Sequence, residues 1–449
     1  MHAVLLKASA VVVWVHNSSP PTAGFSALRA PPSHTTNKAA MAVAPELRRP
    51  LCEPSTSGNP HPNIDSLTSL RGFLALWVVL YHFWKDVLAL FPSARVLSPV
   101  VTQGHFAVPV FFMLSGFVLA YNYGQGWFSL GIRKYCRFLF ARWARIYPVH
   151  FFSLLVVLGM VAVCRGKRWP LSDAGYGAAD FVLNLFLAQT WVPDFRLNWN
   201  YPSWSISCEW FAYLWFPILC AAVLRHLTTR PRAYTFLVLC WGATLGLYAF
   251  ANESPFRELV RVMPTFLAGT AIHACLSRIP GRRPHLLRRL PDLLLMTLAA
   301  VPLVTGGRLM GALLLTGFLT LVYLLARLEN DCSGLWTSRI VIYLGEVSYS
   351  LYMAHTLAQK ICYKLLPVER FTAASWIVRF GVMLLYLVCI GCLSLGTYYF
   401  VERPWRWRLR RLIRAHHDVS GHKHPLGSSA AREPAERTMT SGALQKAVQ

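Results

Sequence analysis

The run RGFLALWVVLYH, from Arg71 to His82, sets a guanidinium and an imidazole in a stretch otherwise as apolar as a bilayer-spanning helix. At ~100° per residue, eleven residues return almost to the starting azimuth, so the two side chains share one helix face about 16 Å apart along the axis. An ionisable group at membrane depth costs roughly 2.5 kcal/mol or more unless it faces a bundle interior or a wet cavity. That face is therefore expected to look inward, and the pair reads as a site. The plainer alternative is a histidine that only bonds a neighbouring helix.

Composition fixes the class of chain around this run. Of 449 residues, 55% are hydrophobic and only 14% charged, with 16 Trp. Mean hydropathy is +0.40. These values describe a polytopic membrane protein whose first partner is the lipid bilayer. Lys and Arg number 44 against 19 Asp and Glu, a formal charge of +25. Most of these bases sit in short loops between apolar runs, as cytoplasmic loops require, and no nucleic-acid module accompanies them. No nucleic-acid partner is expected. The 11 Cys are scattered, and Cys389 and Cys392 have CxxC spacing without His or Cys partners nearby, so no metal is expected.

Residues 1–62 are Pro, Ser, Thr and Ala rich and read as a disordered leader, whose apolar stretch Ala8 to Val15, too short to span, is either part of a targeting segment or lies upstream of a start at Met41. Segments of spanning length follow at about Leu67 to Phe91, Gly104 to Tyr123, Ile146 to Cys164, Trp204 to Leu224 and Ala233 to Ala251. Further ones lie at about Leu259 to Leu276, Leu290 to Thr305, Met310 to Leu328, Ile340 to Leu365 and Ala374 to Phe400. The loops around Arg133 to Arg145, Arg225 to Arg232 and Arg278 to Arg289, and the end from Arg403, are basic. All of them fall on the cytoplasmic side if the short run Ala178 to Trp191 does not cross. The expected fold is thus an all-α, polytopic transmembrane helical bundle over residues 63–409, with about ten spans and one additional short re-entrant or partial helix. Both termini are expected to be cytoplasmic, and residues 410–449 form a basic, then disordered tail. Asn252-Glu253-Ser254 is a glycosylation sequon on the opposite side.

Five polar clusters interrupt the apolar body. In IDSLTSLRG, Asp65 precedes Arg71 and His82 and is either a helix-dipole partner or part of their site. In VFFMLSGFVLAYNY, Ser115 and Gly116 are small residues that admit a neighbouring helix. In RFLFARWARIYP, Arg142 and Arg145 stand at i and i+3, on one face, as positive-inside charges or as a forked pair for phosphate. In NWNYPSWSISCEWFAYLWFP, Ser205 and Glu209 are one turn apart, and a buried Glu209 must be protonated or paired with an Arg or His. In YLGEVSYSLYMAHTL, Ser348, Tyr352 and His355 make one polar stripe at i, i+4 and i+7. The aromatic segment with Trp191, Trp199 and Trp204 either stacks on a sugar face or anchors at the interface.

These clusters, in this order, resemble the acyltransferase 3 family of integral membrane O-acyltransferases. The family's LDGLRGxxALxVVxxH, FFxLSGF, RRxxRIxP, PSWSLSxEWxFYLxxP and LGxxSYSLYLxH are matched by IDSLTSLRGFLALWVVLYH, FFMLSGFVLAY, RWARIYP, PSWSISCEWFAYLWFP and LGEVSYSLYMAH. VERPWR resembles its closing E-x-P-h-R motif. One departure is that Asp65 stands six residues before Arg71 where the family more often has three. The resemblance implies transfer of an acyl group, commonly acetyl from acetyl-CoA, to a hydroxyl of a sugar, glycan, lipid or natural product. No bound cofactor is implied, acyl-CoA being a co-substrate. Carried over by motif, it points to Arg71, His82, Glu209 and His355 as catalytic residues and to Arg142 and Arg145 as acyl-CoA-binding. Asp65, Ser115, Ser205, Ser348 and Tyr352 would support them. His82 is the expected general base on the acceptor hydroxyl. The competing reading is a transporter or flippase for an acyl group or small amphiphile, since intramembrane His, Glu and Arg also suit a proton or anion path.

Overall fold

The computed structural model describes residues 63–123, 131–168, 176–193, 199–250, 256–279, 287–409 and 411. The leader, the sequon at Asn252 and the tail beyond residue 411 lie outside them. Every element among the described residues is helical. The principal helices are α1 (Asp65–His82), α2 (Trp84–Leu90), α3 (Ala107–Tyr123), α4 (Ile132–Gly166), α5 (Ala178–Leu185) and α6 (Ser203–Ala222). They continue with α7 (Arg230–Phe250), α8 (Arg257–Leu276), α9 (Leu290–Val304), α10 (Gly307–Leu328), α11 (Arg339–Leu365) and α12 (Trp376–Thr397), after which Tyr398–Glu402 forms a π-helical turn.

Among the described residues seven helices are long and apolar enough to cross a bilayer, and an eighth span is added if the bent pair α1 and α2 counts as one. Two further expected spans coincide with α9, which is only 15 residues long, and with α11, 27 residues long and interrupted by the polar stripe. All ten expected segments thus coincide with helices, and the chain is a multi-pass membrane protein. The eight-residue α5 is the short partial helix.

The segment Leu67 to Phe91 is not the single straight span expected. It bends by 57° between α1 and α2, at Phe83. The break frees the carbonyl of His82, which the Gln359 amide of α11 takes at 3.0 Å. A side chain from a neighbouring helix thus satisfies the broken ladder, and the sequence pattern, apolar straight through Phe83-Trp84, gives no sign of this.

Glycines decide which helices touch. A Cβ on Gly345 of α11 would stand 1.9 Å from the Thr68 carbonyl oxygen of α1, and one on Gly72 would stand 2.9 Å from the Gly345 nitrogen. Helices α3 and α8 approach in the same way: a Cβ on Gly116 would be 1.9 Å from Phe266 O, and one on Gly269 1.9 Å from Met113 O. In lipid, where apolar surface gains little by leaving tails for side chains, such close backbone approach is the main source of association. Gly345→Ala is expected to force α1 and α11 apart and to lower the thermal unfolding midpoint in detergent, at an overpacking cost of about 1–3 kcal/mol. Gly391→Ala, whose Cβ would meet nothing within 4 Å, is the control that leaves the midpoint unchanged.

The α1–α11 contact is parallel: Gly72 meets Gly345 near one end, and the rings of His82 and His355 meet near the other. This register lays the Arg71–His82 face along the Ser348–Tyr352–His355 stripe.

Candidate active site

Between α1, α3, α4, α6 and α11 lies a cavity of ≈ 110 Å³, room for several waters. Arg71, Ser115, Arg142, Arg145, Ser205, Glu209, Ser348 and Tyr352 all line it, joined by Tyr213 and Tyr349. Eight candidates drawn from five separated stretches of sequence therefore meet around one space.

Its electrostatics are unbalanced. Arg71 and Arg145 are half-buried and make no hydrogen bond or ion pair among the described residues. Arg142 gives one bond, to Tyr123 Oη at 3.1 Å, lies over the Tyr123 and Phe138 rings, and keeps its Nε buried without a partner. Arg71 also lies within the field of Arg145, Arg406, Glu402 and Glu209. Glu402 is buried and already engaged, accepting from Ser350 Oγ at 2.6 Å and pairing with Arg406 at 3.1 Å. Four guanidiniums (Arg71, Arg142, Arg145, Arg406) thus stand against three carboxylates, Glu209, Glu402 and the Glu346 that acts on Arg406, a formal excess of one positive charge. Cations kept from bulk water without partners are costly, and forked guanidiniums on such a wall suit an anionic group.

The sequence left Glu209 either protonated or paired with an Arg or His; its partners here are two hydroxyls. Its Oε1 accepts from Ser115 Oγ at 2.7 Å and from Tyr213 Oη, and the two hydroxyls lie 3.1 Å apart. The SG pair of α3 is accordingly divided: Gly116 packs on α8 while Ser115 turns to the cavity and fixes the carboxylate. Tyr213 stands one turn after Glu209, and that i+4 spacing was the available signal for it. Glu402 and Arg406 sat in view inside VERPWR, unassigned. Ser348 donates to its own helix at Gly345 O, 2.6 Å away. Ser205 joins Tyr352 Oη at 2.7 Å and Pro202 O at 3.1 Å, tying α6 to α11.

Three candidates lie off the cavity. Asp65 stands in the first turn of α1, where its charge suits the helix dipole, and it makes no side-chain cap bond. His82 and His355 pair with each other, ring centroids 4.8 Å apart. Tyr352 connects the two regions, since its ring is 5.8 Å from His355 and it also lines the cavity. His82 is half-buried, with Tyr81 and Tyr201 presenting ring edges at 5.0 and 5.5 Å. Trp199 is 4% exposed, packed by Tyr176 and Phe181 and donating to Gly177 O, so it has no face left for a sugar. Among the described residues no group of three or more His, Cys, Asp or Glu gathers as a metal site.

The family model for an acyltransferase domain, acyltransferase 3, matches residues 64–397. The chain belongs to the acyltransferase 3 family. It is similar to "Acyltransferase MdmB" of Streptomyces mycarofaciens, 28% identical over 368 residues that cover 76% of this chain and 91% of that protein. It is also similar to "Putative acetyltransferase ORF330" of Acidianus two-tailed virus, 24% identical over 328 residues, 66% of this chain and 83% of that protein. No solved structure matches. This acyltransferase 3 member therefore catalyses acyl transfer from within a helical membrane bundle, and the matched span includes every residue lining the cavity.

Proposed function

We propose that the chain is a membrane O-acyltransferase that moves an acyl group, acetyl first among them, from acyl-CoA to a hydroxyl of a carbohydrate, lipid or natural product. The observation that carries this is the cavity wall on which Arg71 and Arg145 hold no partner. An acyl-CoA brings phosphates for forked guanidiniums and a thioester whose cleavage drives the transfer. The name of the viral relative favours acetyl. Arg142 and Arg145 stand where the basic, exposed start of α4 meets its apolar length. By the positive-inside rule that end is cytoplasmic, as are both termini, and the donor enters there.

His82 is the general base. Its Nδ1 donates to Val78 O at 2.9 Å, which leaves the Nε2 lone pair to accept the acceptor's hydroxyl proton. The freed oxygen attacks the thioester carbon, the C–S bond breaks, and the thiolate takes up the proton. Arg71, on the cavity wall beside Arg145 and about 16 Å along α1 from His82, binds donor phosphate with Arg142 and Arg145 on the path to the histidine. Glu209, held by Ser115 and Tyr213, limits the cavity's positive charge so that the donor can leave after turnover.

The test is purified protein in detergent with radiolabelled acetyl-CoA and pooled hydroxyl acceptors, scored for free thiol and labelled product. Transfer that needs the acyl-CoA supports the reading. No transfer from folded protein, with any acyl-CoA, contradicts it and favours the transporter, for which detergent removes the compartments.

A further inference from the structure

Each histidine of the pair sets Nδ1 against a backbone carbonyl of its own helix, His82 on Val78 at 2.9 Å and His355 on Tyr352 at 2.6 Å. A carbonyl oxygen only accepts, so both Nδ1 atoms carry the hydrogen and both neutral rings leave Nε2 as an acceptor. His355 is 0% exposed, and its Nε2 has no hydrogen-bond partner. A buried acceptor left this way is costly, the more so in a bundle surrounded by lipid.

Among the described residues no side chain donates to it. Tyr352 Oη is engaged with Ser205 and Pro202, and Gln359 Nε2 with the His82 carbonyl and Tyr363. Tyr81 and Tyr201 pack edge-on against His82, and His105 lies beyond Tyr81. The nearby carboxylate, Asp86 of α2, accepts from Tyr363 at 3.1 Å. The donor that the chemistry itself creates is His82: with a second proton its Nε2 becomes an N–H, in a ring 4.8 Å from that of His355.

We propose that His82 and His355 act as one proton-sharing pair, His355 Nε2 accepting a hydrogen bond from His82 Nε2–H once His82 has taken the acceptor's proton. This rests on the general-base reading of His82. The proton leaves the acceptor hydroxyl for His82 as the new C–O bond forms and the thioester C–S bond breaks. His355 steadies the imidazolium until the proton passes to the departing sulfur. The pair holds one excess proton and excludes a second, because two adjacent imidazoles do not both charge. His355 touches no substrate and is a positioning residue.

Two variants separate this from a packing role. His355→Gln keeps an acceptor near the Nε2 position, whereas His355→Asn keeps a polar group near Tyr352 O and removes that acceptor. In full-length protein, His355→Asn is expected to lose about 100-fold in kcat, within the range of acid–base effects, with KM for acetyl-CoA unchanged. Its acidic limb in the kcat/KM–pH profile moves to lower pH. His355→Gln is expected to recover most of the rate and the position of the limb. Equal behaviour of the two variants, or an unmoved limb, overturns the pair. Histidine-labelled 15N spectra read it without turnover: one proton taken up by the two rings together is expected, and two independent uptakes contradict it. Wild-type protein that moves no acyl group while the spectra show a shared proton would contradict the donor reading alone.

Discussion

Arg145→Ala is expected to raise KM for acetyl-CoA by about 10–100-fold, the loss of roughly 1.5–3 kcal/mol that one charge-assisted contact supplies. The argument is one of unpaired charge. Arg145 lines the cavity and bonds nothing there, so its removal breaks no internal contact and relieves a cluster in which cations outnumber carboxylates. The variant should fold at least as well as the parent, and its unfolding midpoint in ligand-free detergent should hold or rise. Glu402→Ala is the opposite case, for it strands Arg406 and releases Ser350. Its first effect is on stability. Steady-state kinetics beside unfolding curves for the two variants separate ligand binding from structural support. An Arg145→Ala protein with unchanged KM would place the donor elsewhere.

His82→Ala is expected to lower kcat by about 10²–10⁴-fold while leaving the KM for acetyl-CoA within a few-fold, the pattern of a group that acts only during proton transfer. The separation of KM and kcat effects follows from position. The arginines surround the cavity, while His82 stands at the other end of the α1–α11 contact, off its lining, where α1 breaks and Gln359 holds the last carbonyl. Truncating the imidazole removes a half-buried ring and one local hydrogen bond, so the protein should insert and fold. Full turnover in the variant would remove His82 as the base.

Local pattern was enough to find α1, because Arg71 and His82 in an apolar run admit few placements, and α11, because Ser348, Tyr352 and His355 keep helical spacing. The ten apolar segments followed from length. Pairings across the sequence were not legible: Ser115 and Glu209 are 94 residues apart, and either could have met other partners. Tyr213 was hidden among the aromatics of EWFAYLWF, where side chains at lipid and at cavity look alike. The bend at Phe83 was invisible since its compensation comes from Gln359, 277 residues away in the hydrogen bond to His82. Trp199 had a sugar platform as one reading, yet the polar linker carrying it is packed by Tyr176 and Phe181. The separation of the histidines from the arginine cavity is likewise a tertiary fact. Both ends lie on one face of α1, and it is Tyr352, Ser205 and Pro202 of other segments that stand between.

Equilibrium binding of radiolabelled acetyl-CoA to the purified chain, beside Arg71→Ala and Arg145→Ala, tests the central claim most directly. Saturable binding to the parent is expected, weakened at least tenfold in each variant and, as phosphate contacts require, falling with added salt. Binding of equal strength in all three proteins would contradict the assignment of the arginine-lined cavity to the acyl donor.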